Sequence, residues 1–226
     1  MGSLQEARCL LNGLFLKRET TILCISDLHN GLQGDGISII LQAVHSCDAI
    51  ITLGDIPLDV LNIIRQISKE ASIPITGVMG NHDSNDVLQR AGIQELSCTD
   101  VTEIAGMHLV GLSGTIRYKR GDYAMLEPEE AENIIASMPP APILISHDCC
   151  EKSPLCYGMA HSGMPGLCGY MEKGKTAIHI HGHVHKNRRY NIGKTTCLSV
   201  FGIVKVHLRG NKIAGTDVLC RPWNED

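Results

Sequence analysis

The sequence predicts an α/β fold in which two packed β-sheets carry helices on their outer faces. The first half of the chain alternates short apolar runs with amphipathic stretches, and the second half is richer in predicted strands. Strands that are apolar throughout indicate parallel sheets covered on both faces. A length of 226 residues with 43% apolar residues suits one domain, residues 1–226, with a substantial core.

In the first half, each predicted strand is followed by a predicted helix. Short apolar runs indicate the strands, and apolar residues at helical spacing indicate the helices. A proline near the start of the second helix favours a helix boundary there. The predicted strands are 21–26, 48–53 and 75–79, and the predicted helices are 36–46, 57–71 and 84–91.

The second half is predicted to contain one helix among several strands. Early glutamates suit the amino terminus of the helix at 127–137, and glycines between the last three strands indicate closing hairpins. Two stretches, 113–125 and 148–175, show no regular pattern, and loops of that length are usually functional or mobile. The predicted strands are 107–112, 143–146, 177–181, 195–201, 204–208 and 212–219.

Composition excludes several classes of protein. A net charge of −4 without a basic run argues against general nucleic-acid binding, although it does not exclude a small bound nucleotide. No apolar stretch approaches the roughly 20 residues of a membrane span, and no signal peptide is recognisable. The ten cysteines show no C-x-x-C spacing. We therefore expect a cytoplasmic protein with reduced thiols and no membrane association.

Five apolar runs end abruptly in residues that bind metals, which indicates one polar site at the carboxyl edge of the predicted sheets. Asp27-x-His29 and His183-x-His185 would each place two side chains on one side of an extended chain. The five stretches are Asp27-Leu28-His29, Gly54-Asp55, Gly80-Asn81-His82-Asp83, His147-Asp148 and Gly182-His183-Val184-His185.

These residues offer three carboxylate or amide oxygens and four imidazoles. That mixture suits Mn²⁺, Fe, Zn²⁺ or related ions such as Ni²⁺ with open coordination positions, and Mn²⁺ is the ion we favour. Seven ligands are too many for one ion but enough for two ions that share a carboxylate, an arrangement used for phosphoryl displacement. The predicted ligands are Asp27, His29, Asp55, Asn81, His147, His183 and His185.

The five stretches, in this order, resemble the calcineurin-like metallophosphoesterase superfamily. The resemblance implies a four-layer α/β/β/α sandwich of two mixed sheets and a hydroxide, activated by two metal ions, that attacks phosphorus. It also implies the role of each ligand. Asp27, His29 and His185 would bind the first metal, Asn81, His147 and His183 the second, and Asp55 would bridge the two.

The resemblance further implies that His82 and Asp83 are catalytic. His82 would stabilise developing charge or protonate the leaving oxygen, and Asp83 would hold the His82 ring in the correct tautomer. Asp83 could also cap a helix that begins near Ser84. His179 and His181 alternate with the ligand strand and are expected to be core histidines, and Asp148 is expected to be a loop residue.

Other functions fit the sequence less well. A metallo-β-lactamase would need an Asp-His pair where this chain has His185-Lys186, and a serine hydrolase would need a G-x-S-x-G elbow, which does not occur. A non-catalytic scaffold would be expected to lack some ligands, and none of the seven is missing. The favoured function is a phosphodiesterase, with a phosphomonoesterase or nucleotidase of the same fold as the alternative.

The sequence says least about the substrate, which we expect to be a small phosphate ester or nucleotide. His161, in the loop 148–175, could approach the metals, but a solvated histidine is the favoured interpretation. The cysteines of this loop fit no standard metal site. Residues 117–120 (Arg-Tyr-Lys-Arg) form a basic cluster that could attract a phosphate. The oligomeric state is not predicted.

Overall fold

The computed structural model describes residues 19–32, 34–121 and 123–223, and within these ranges it contains fourteen strands and five helices. The strands are β1 (Glu19–Ser26), β2 (Ala49–Thr52), β3 (Ile75–Gly77), β4 (Gln94–Glu95), β5 (Thr102–Ile104), β6 (Met107–Leu112), β7 (Thr115–Ile116), β8 (Met125–Leu126), β9 (Ile143–Ser146), β10 (Ile178–His181), β11 (Arg188–Ile192), β12 (Thr195–Ser199), β13 (Gly202–Arg209) and β14 (Ile213–Cys220). The helices are α1 (Gly36–Val44), α2 (Leu58–Ala71), α3 (Val87–Arg90), α4 (Pro128–Ser137) and α5 (Leu167–Glu172).

Local sequence signals explain where the two longest helices begin and end. Pro57 precedes α2, and Ser72 ends it in the left-handed conformation (φ 56°), which stops further helical hydrogen bonding. At the start of α4, the side chains of Glu127 and Glu130 form a reciprocal capping box. Both helices begin within two residues of the predicted positions.

Two six-stranded mixed sheets form the centre of the molecule. The first has the order β14-β13-β1-β2-β3-β4, with β1 to β4 parallel and β13 and β14 antiparallel to their neighbours. The second has the order β11-β12-β10-β9-β6-β5, with β6, β9, β10 and β12 parallel. The four parallel strands are central in the second sheet, and in the first sheet they extend from β1 to the edge strand β4. In both sheets the carboxyl ends of the parallel strands lie side by side.

The core forms three layers of apolar side chains. Ile22 and Cys24 of β1 face the second sheet, whereas Leu23 and Ile25 face the helices, so both faces of this strand are buried. Helices α1, α2 and α3 cover the outer face of the first sheet. Helices α4 and α5 cover the outer face of the second. The four-layer α/β/β/α sandwich is therefore confirmed.

Several details differ from the prediction. The expected hairpin between β12 and β13 is wrong, because the chain crosses at Val200 and Phe201 from the second sheet to the first. Strand β12 instead pairs with β11 (Arg188–Ile192), whose polar sequence lacks the apolar run that indicates a strand. The stretch 148–175, predicted as irregular, contains the short helix α5.

Candidate metal centre

The candidate site lies where the carboxyl ends of parallel strands from both sheets meet. The loops after these strands carry all seven predicted ligands: Asp27 and His29 follow β1, Asp55 follows β2, Asn81 follows β3, His147 follows β9, and His183 and His185 follow β10. Potential ligand atoms of Asp27, His29 and His185 lie within 4.8 Å of one another, and so do those of Asp55, His147 and His183. Segments from opposite ends of the sequence therefore converge.

The two carboxylates share an unusual arrangement. Oδ2 of Asp27 accepts hydrogen bonds from the Ser26 hydroxyl (2.6 Å) and the His183 backbone N–H (3.0 Å), whereas its Oδ1 is buried with no hydrogen-bond partner among the described residues. Oδ1 of Asp55 accepts the His82 N–H (2.7 Å), and Oδ2 of Asp55 is likewise buried and without one. A buried carboxylate oxygen without a donor is costly unless a cation neutralises it.

The neighbouring nitrogens lie close to these oxygens. Oδ1 of Asp27 is 3.5 Å from Nε2 of His185, and Oδ2 of Asp55 is 3.4 Å from Nε2 of His147 and 3.7 Å from Nε2 of His29. Oδ1 of Asn81 lies 3.0 Å from Nε2 of His147. Oxygen and nitrogen atoms that can coordinate a metal thus face one another across a small buried space, as the chemistry of divalent cation sites requires.

Backbone carbonyls orient two of the imidazoles. Nδ1 of His147 donates to the Leu53 carbonyl (2.6 Å), which leaves Nε2 to face the site. Nε2 of His183 donates to the Ala160 carbonyl (2.6 Å), which leaves Nδ1 for a ligand. Such hydrogen bonds fix both tautomer and ring orientation in metal-binding histidines.

Charge at the site also fits a cation. Burial alone would raise the pKa of Asp55, but the adjacent His147 imidazole outweighs burial and lowers it. Burial would lower the pKa of His147, yet the Asp55 carboxylate outweighs this effect and raises it to about 10. The buried carboxylate therefore recruits positive charge. Burial lowers the pKa of His183 to about 3, which keeps this ring neutral and able to bind a metal.

Backbone strain is concentrated at the predicted ligands. Of the six non-glycine residues with positive φ in the described ranges, four are Asp27 (57°), Asp55 (56°), His183 (69°) and His185 (51°). This conformation is unfavourable for residues with a Cβ, and such strain clusters at functional sites. The expectation that Asp27 to His29 and His183 to His185 are extended is thus wrong, because tight left-handed turns aim these side chains.

Two glycines allow the ligand loops to approach each other. Gly54 (φ 94°) lies against the Gly80 backbone and the His147 ring, and Gly80 lies against the Asp55 carboxylate. A Cβ on either glycine would overlap these groups. Packing therefore requires glycine at both positions, and at Gly54 the positive φ requires it as well.

The structure places His82 at the open side of the site. Its side chain is exposed, its ring centroid lies 4.9 Å from that of His29, and its Nδ1 is 3.5 Å from the Lys119 amine. Burial lowers the pKa of His82, Asp55 opposes this effect, and Lys119 reinforces it. His82 is thus accessible to a substrate group next to the ligands.

Asp83 makes different contacts from those expected. Its Oδ2 accepts the backbone N–H groups of Gly80 (2.7 Å) and Asp55 (2.8 Å), and no hydrogen bond joins it to the His82 ring within the described part of the chain. It does not cap a helix either, because the residue before α3 is Asp86. Asp83 therefore holds the loops rather than the His82 ring. Burial, reinforced by the nearby Asp55 carboxylate, raises the pKa of Asp83 to about 6.

The remaining polar residues of these strands belong to the core. His179 lies 2.6 Å from the Ser146 hydroxyl, and His181 lies 2.9 Å from the Tyr190 hydroxyl, so their interpretation as core histidines holds. Asp148 is more buried than expected of a loop residue, and burial raises its pKa to about 7.

The loop after β9 covers part of the site. His161 is not solvated as favoured from the sequence: its ring centroid lies 4.5 Å from that of His183, and Tyr157 stacks on it at 4.3 Å. Cys150 in this loop and Cys168 in α5 form a disulfide, which corrects the expectation that all thiols are reduced. This disulfide links the loop covalently to α5.

The basic cluster divides into residues with different partners. The Arg117 guanidinium binds the Glu127 carboxylate (2.9 Å) and supports the loop. The Tyr118 hydroxyl accepts a hydrogen bond from the Asn81 amide (2.7 Å), which turns the amide oxygen towards His147. Lys119 contacts His82.

Three residues that contact the predicted ligands were not predicted from the sequence. Ser26 precedes Asp27 directly, and its proximity is the one signal that could have indicated its hydrogen bond. The contact of Tyr118 with Asn81 joins distant segments and has no sequence signature. Trp223, whose ring lies 5.1 Å from that of His185, is the sole tryptophan of the chain, but its position depends on the path of the chain after β14.

The fold and the ligand cluster define a metallophosphoesterase-like protein, and comparison with known families agrees. The calcineurin-like phosphoesterase superfamily domain matches residues 21–207, so the chain belongs to this superfamily. None of the curated proteins searched matches the chain. No helix in the described ranges is long and apolar enough to cross a membrane.

Solved structures share the fold at low sequence identity. The protein TT1561 of Thermus thermophilus has a TM-score of 0.63 and 15% identity, with 90% of this chain and 100% of that chain covered. A putative 5'-nucleotidase from Staphylococcus aureus, solved with alpha-ketoglutarate, has a TM-score of 0.59 and 12% identity, with 92% and 56% covered. The phosphopantetheinyl hydrolase of Mycobacterium tuberculosis has a TM-score of 0.50 and 13% identity, with 81% and 90% covered.

Proposed function

We propose that this protein hydrolyses phosphodiesters with the help of two divalent cations held by the candidate site. The observation that carries the proposal is the state of two buried carboxylates, Asp27 and Asp55, whose backbones are strained. Among the described residues, one oxygen of each carboxylate has no hydrogen-bond donor and faces the surrounding imidazoles. A stable fold retains such costly groups where a cation compensates them.

The residues present fit two ions. We assign Asp27, His29 and His185 to the first, Asn81, His147 and His183 to the second, and Asp55 to both. The Asp55 carboxylate suits this shared role, because its Oδ2 approaches both His29 (3.7 Å) and His147 (3.4 Å). When bound, two such cations supply an activated water as nucleophile and stabilise charge on the entering and leaving oxygens. We favour Mn²⁺ because the donors combine carboxylates, an amide and imidazoles.

The surrounding residues orient the reaction. His82 donates a proton or hydrogen bond to the leaving oxygen, a role that its exposed position beside His29 permits. Asp83 is a positioning residue, since it fixes the backbone on which Asp55 and His82 are mounted. Tyr118 likewise aims the Asn81 side chain.

Charge at the mouth favours a diester over a monoester. Lys119 contacts His82, whereas Arg117, which is close in sequence, is bound to Glu127. A phosphodiester carries one negative charge, so beside two divalent cations it needs less additional positive charge from the protein than a monoester, which carries two. A phosphomonoesterase or nucleotidase is the second candidate, because the Tyr118 hydroxyl and Lys119 together would still accommodate a small phosphate.

A direct comparison of two substrates tests the proposal. Chelated protein is supplied in turn with Mn²⁺, Ni²⁺, Zn²⁺ or Mg²⁺ and assayed on bis-p-nitrophenyl phosphate and p-nitrophenyl phosphate. We expect no hydrolysis by the chelated protein, recovery of activity with Mn²⁺, and a higher kcat/KM for the diester. A higher value for the monoester would favour the second candidate, and silence on both substrates with every metal would indicate a binding scaffold.

A histidine away from the site provides the matched control. His108 is exposed and lies near the amino end of β6, opposite Glu103 of β5. The ligand loops follow the carboxyl ends of the strands, so His108 is remote from them. His108→Ala should therefore retain wild-type activity, whereas His183→Ala should lose both activity and metal. That residues 1–226 act as one domain, and that the protein is cytoplasmic, stay predictions.

A further inference from the structure

The two halves of the candidate metal centre are held in different ways. In the half formed with Asn81, the rings of His147 and His183 each donate a hydrogen bond to a backbone carbonyl. In the other half, Nε2 of His29 lies 3.2 Å from Nε2 of His185, and neither Nδ1 has a hydrogen-bond partner among residues 19–32, 34–121 and 123–223. These two rings therefore lack the contact that normally orients a metal-binding histidine.

Aromatic packing takes the place of those hydrogen bonds. The indole of Trp223 meets the His185 ring edge to face (5.1 Å, 81°) and lies over the His29 ring (5.9 Å, 31°). Phe201 contacts both Trp223 (4.7 Å) and His185 (5.4 Å). The His185 ring is thus packed against two aromatic side chains, an arrangement that restricts its rotation.

The backbone around Phe201 and Trp223 is held in place by hydrogen bonds and close packing. Phe201 is fully buried, and its backbone N–H and carbonyl are both bonded to the Asn187 side chain at 2.9 Å. Gly202 (φ 84°) lets Cys220 and Pro222 pack directly against the chain, because a Cβ there would overlap them. This close approach leads the segment after β14 across the site and places Trp223 on the ligand rings.

We propose that Trp223 is a positioning residue for the cation bound by Asp27, His29 and His185. It fixes the orientation of both rings by packing, as the Leu53 and Ala160 carbonyls fix His147 and His183 by hydrogen bonds. The affinity of this half of the centre then depends on the segment after β14. The inference rests on the metal centre of the proposed function, but its test measures metal binding and not turnover.

The sole tryptophan makes the first measurement possible without a substitution. Mn²⁺ and Co²⁺ quench indole emission at short range, and Trp223 contributes all tryptophan emission of this chain. Titration of the chelated full-length protein should give saturable quenching, while calorimetry counts two bound ions. Two bound ions without any change in emission would overturn the inference and leave the proposed function intact. A protein that binds no ion would overturn both.

Substitution then tests the positioning role. Trp223→Ala should weaken the binding of one of the two ions by about 10- to 100-fold, the usual effect of removing a residue that orients a ligand. Trp223→Phe should recover most of that affinity. Val218→Ala is the matched control, because Val218 is also an exposed apolar residue but lies within β14, away from the ligand rings. This variant should bind both ions as the wild type does. Circular dichroism of the metal-free variants establishes that they are folded.

Two outcomes would contradict the positioning role. Unchanged affinity for both ions in folded Trp223→Ala would show that the rings need no aromatic support. An equal loss for both ions, not recovered by Trp223→Phe, would show a general structural effect.

Discussion

Asp83 offers the sharpest test of how the ligand loops are held, because its structural role differs from the one that its sequence suggests. The carboxylate is buried, and its Oδ2 accepts the backbone N–H groups of Gly80 and Asp55. Asp83→Asn keeps an oxygen in this position and removes the charge. Asp83→Ala removes the acceptor and leaves two buried N–H groups without a partner.

The structure sets the size and sign of the effect. The pKa of Asp83 is raised from 3.8 to about 6, chiefly by burial and then by Asp55. Because the folded state has the higher pKa, the stability that this group contributes is complete below about pH 4 and is lost as the pH rises through about 6. A shift of about two units corresponds to roughly 3 kcal/mol. Asparagine cannot ionise, so it retains that stability at pH 8.

We therefore expect metal-free Asp83→Asn to be more stable than wild type by up to about 3 kcal/mol at pH 8, with a smaller difference at pH 5. Asp83→Ala should be less stable than Asp83→Asn by about 2–6 kcal/mol, since each unpaired N–H costs about 1–3 kcal/mol. Urea unfolding followed by circular dichroism measures both differences. If Asp83 served only to orient the His82 ring, Asp83→Ala would leave unfolding unchanged and would lower only the rate of hydrolysis.

Three further substitutions probe the metal centre and its covering loop. Asp55→Asn should reduce bound metal, measured by mass spectrometry, from two ions to one or fewer, while the His108→Ala control keeps two; full occupancy in the variant would refute the shared role. His82→Ala should keep both ions but lose about 10²–10⁴-fold in kcat, and loss of metal would instead make His82 a ligand. Cys168→Ser opens the link to Cys150 across a separation of 18 residues and should cost about 3 kcal/mol in urea unfolding. Reduction should lower the wild-type midpoint towards that of this variant, and an unchanged wild-type midpoint on reduction would argue against the disulfide.

The layered fold was predictable because its strands have a simple pattern. Residues such as Ile22 and Leu23 are both apolar, which requires cover on both faces of the strand, and the structure provides it. Strand β11 was not predictable in this way, because its exposed polar residues carry no such signal. Which sheet each late strand joins was not predictable either, since pairing between distant segments leaves no periodic trace.

The convergence of the seven predicted ligands could be anticipated from the sequence because each of them closely follows a predicted strand. The geometry within the set could not, because it depends on left-handed turns at residues such as Asp27 and His183, where the sequence suggests extended chain. The contacts of Asp83 and Trp223 were also hidden. Both depend on backbone groups or rings that the fold brings from distant positions.

Anomalous diffraction from crystals soaked in Mn²⁺ would test the proposal that two cations share the Asp55 carboxylate. We expect two peaks roughly 3.5–4 Å apart, one beside Asp27, His29 and His185, the other beside Asn81, His147 and His183, with an Asp55 oxygen in contact with both. A single peak, or two peaks neither of which touches Asp55, would contradict it.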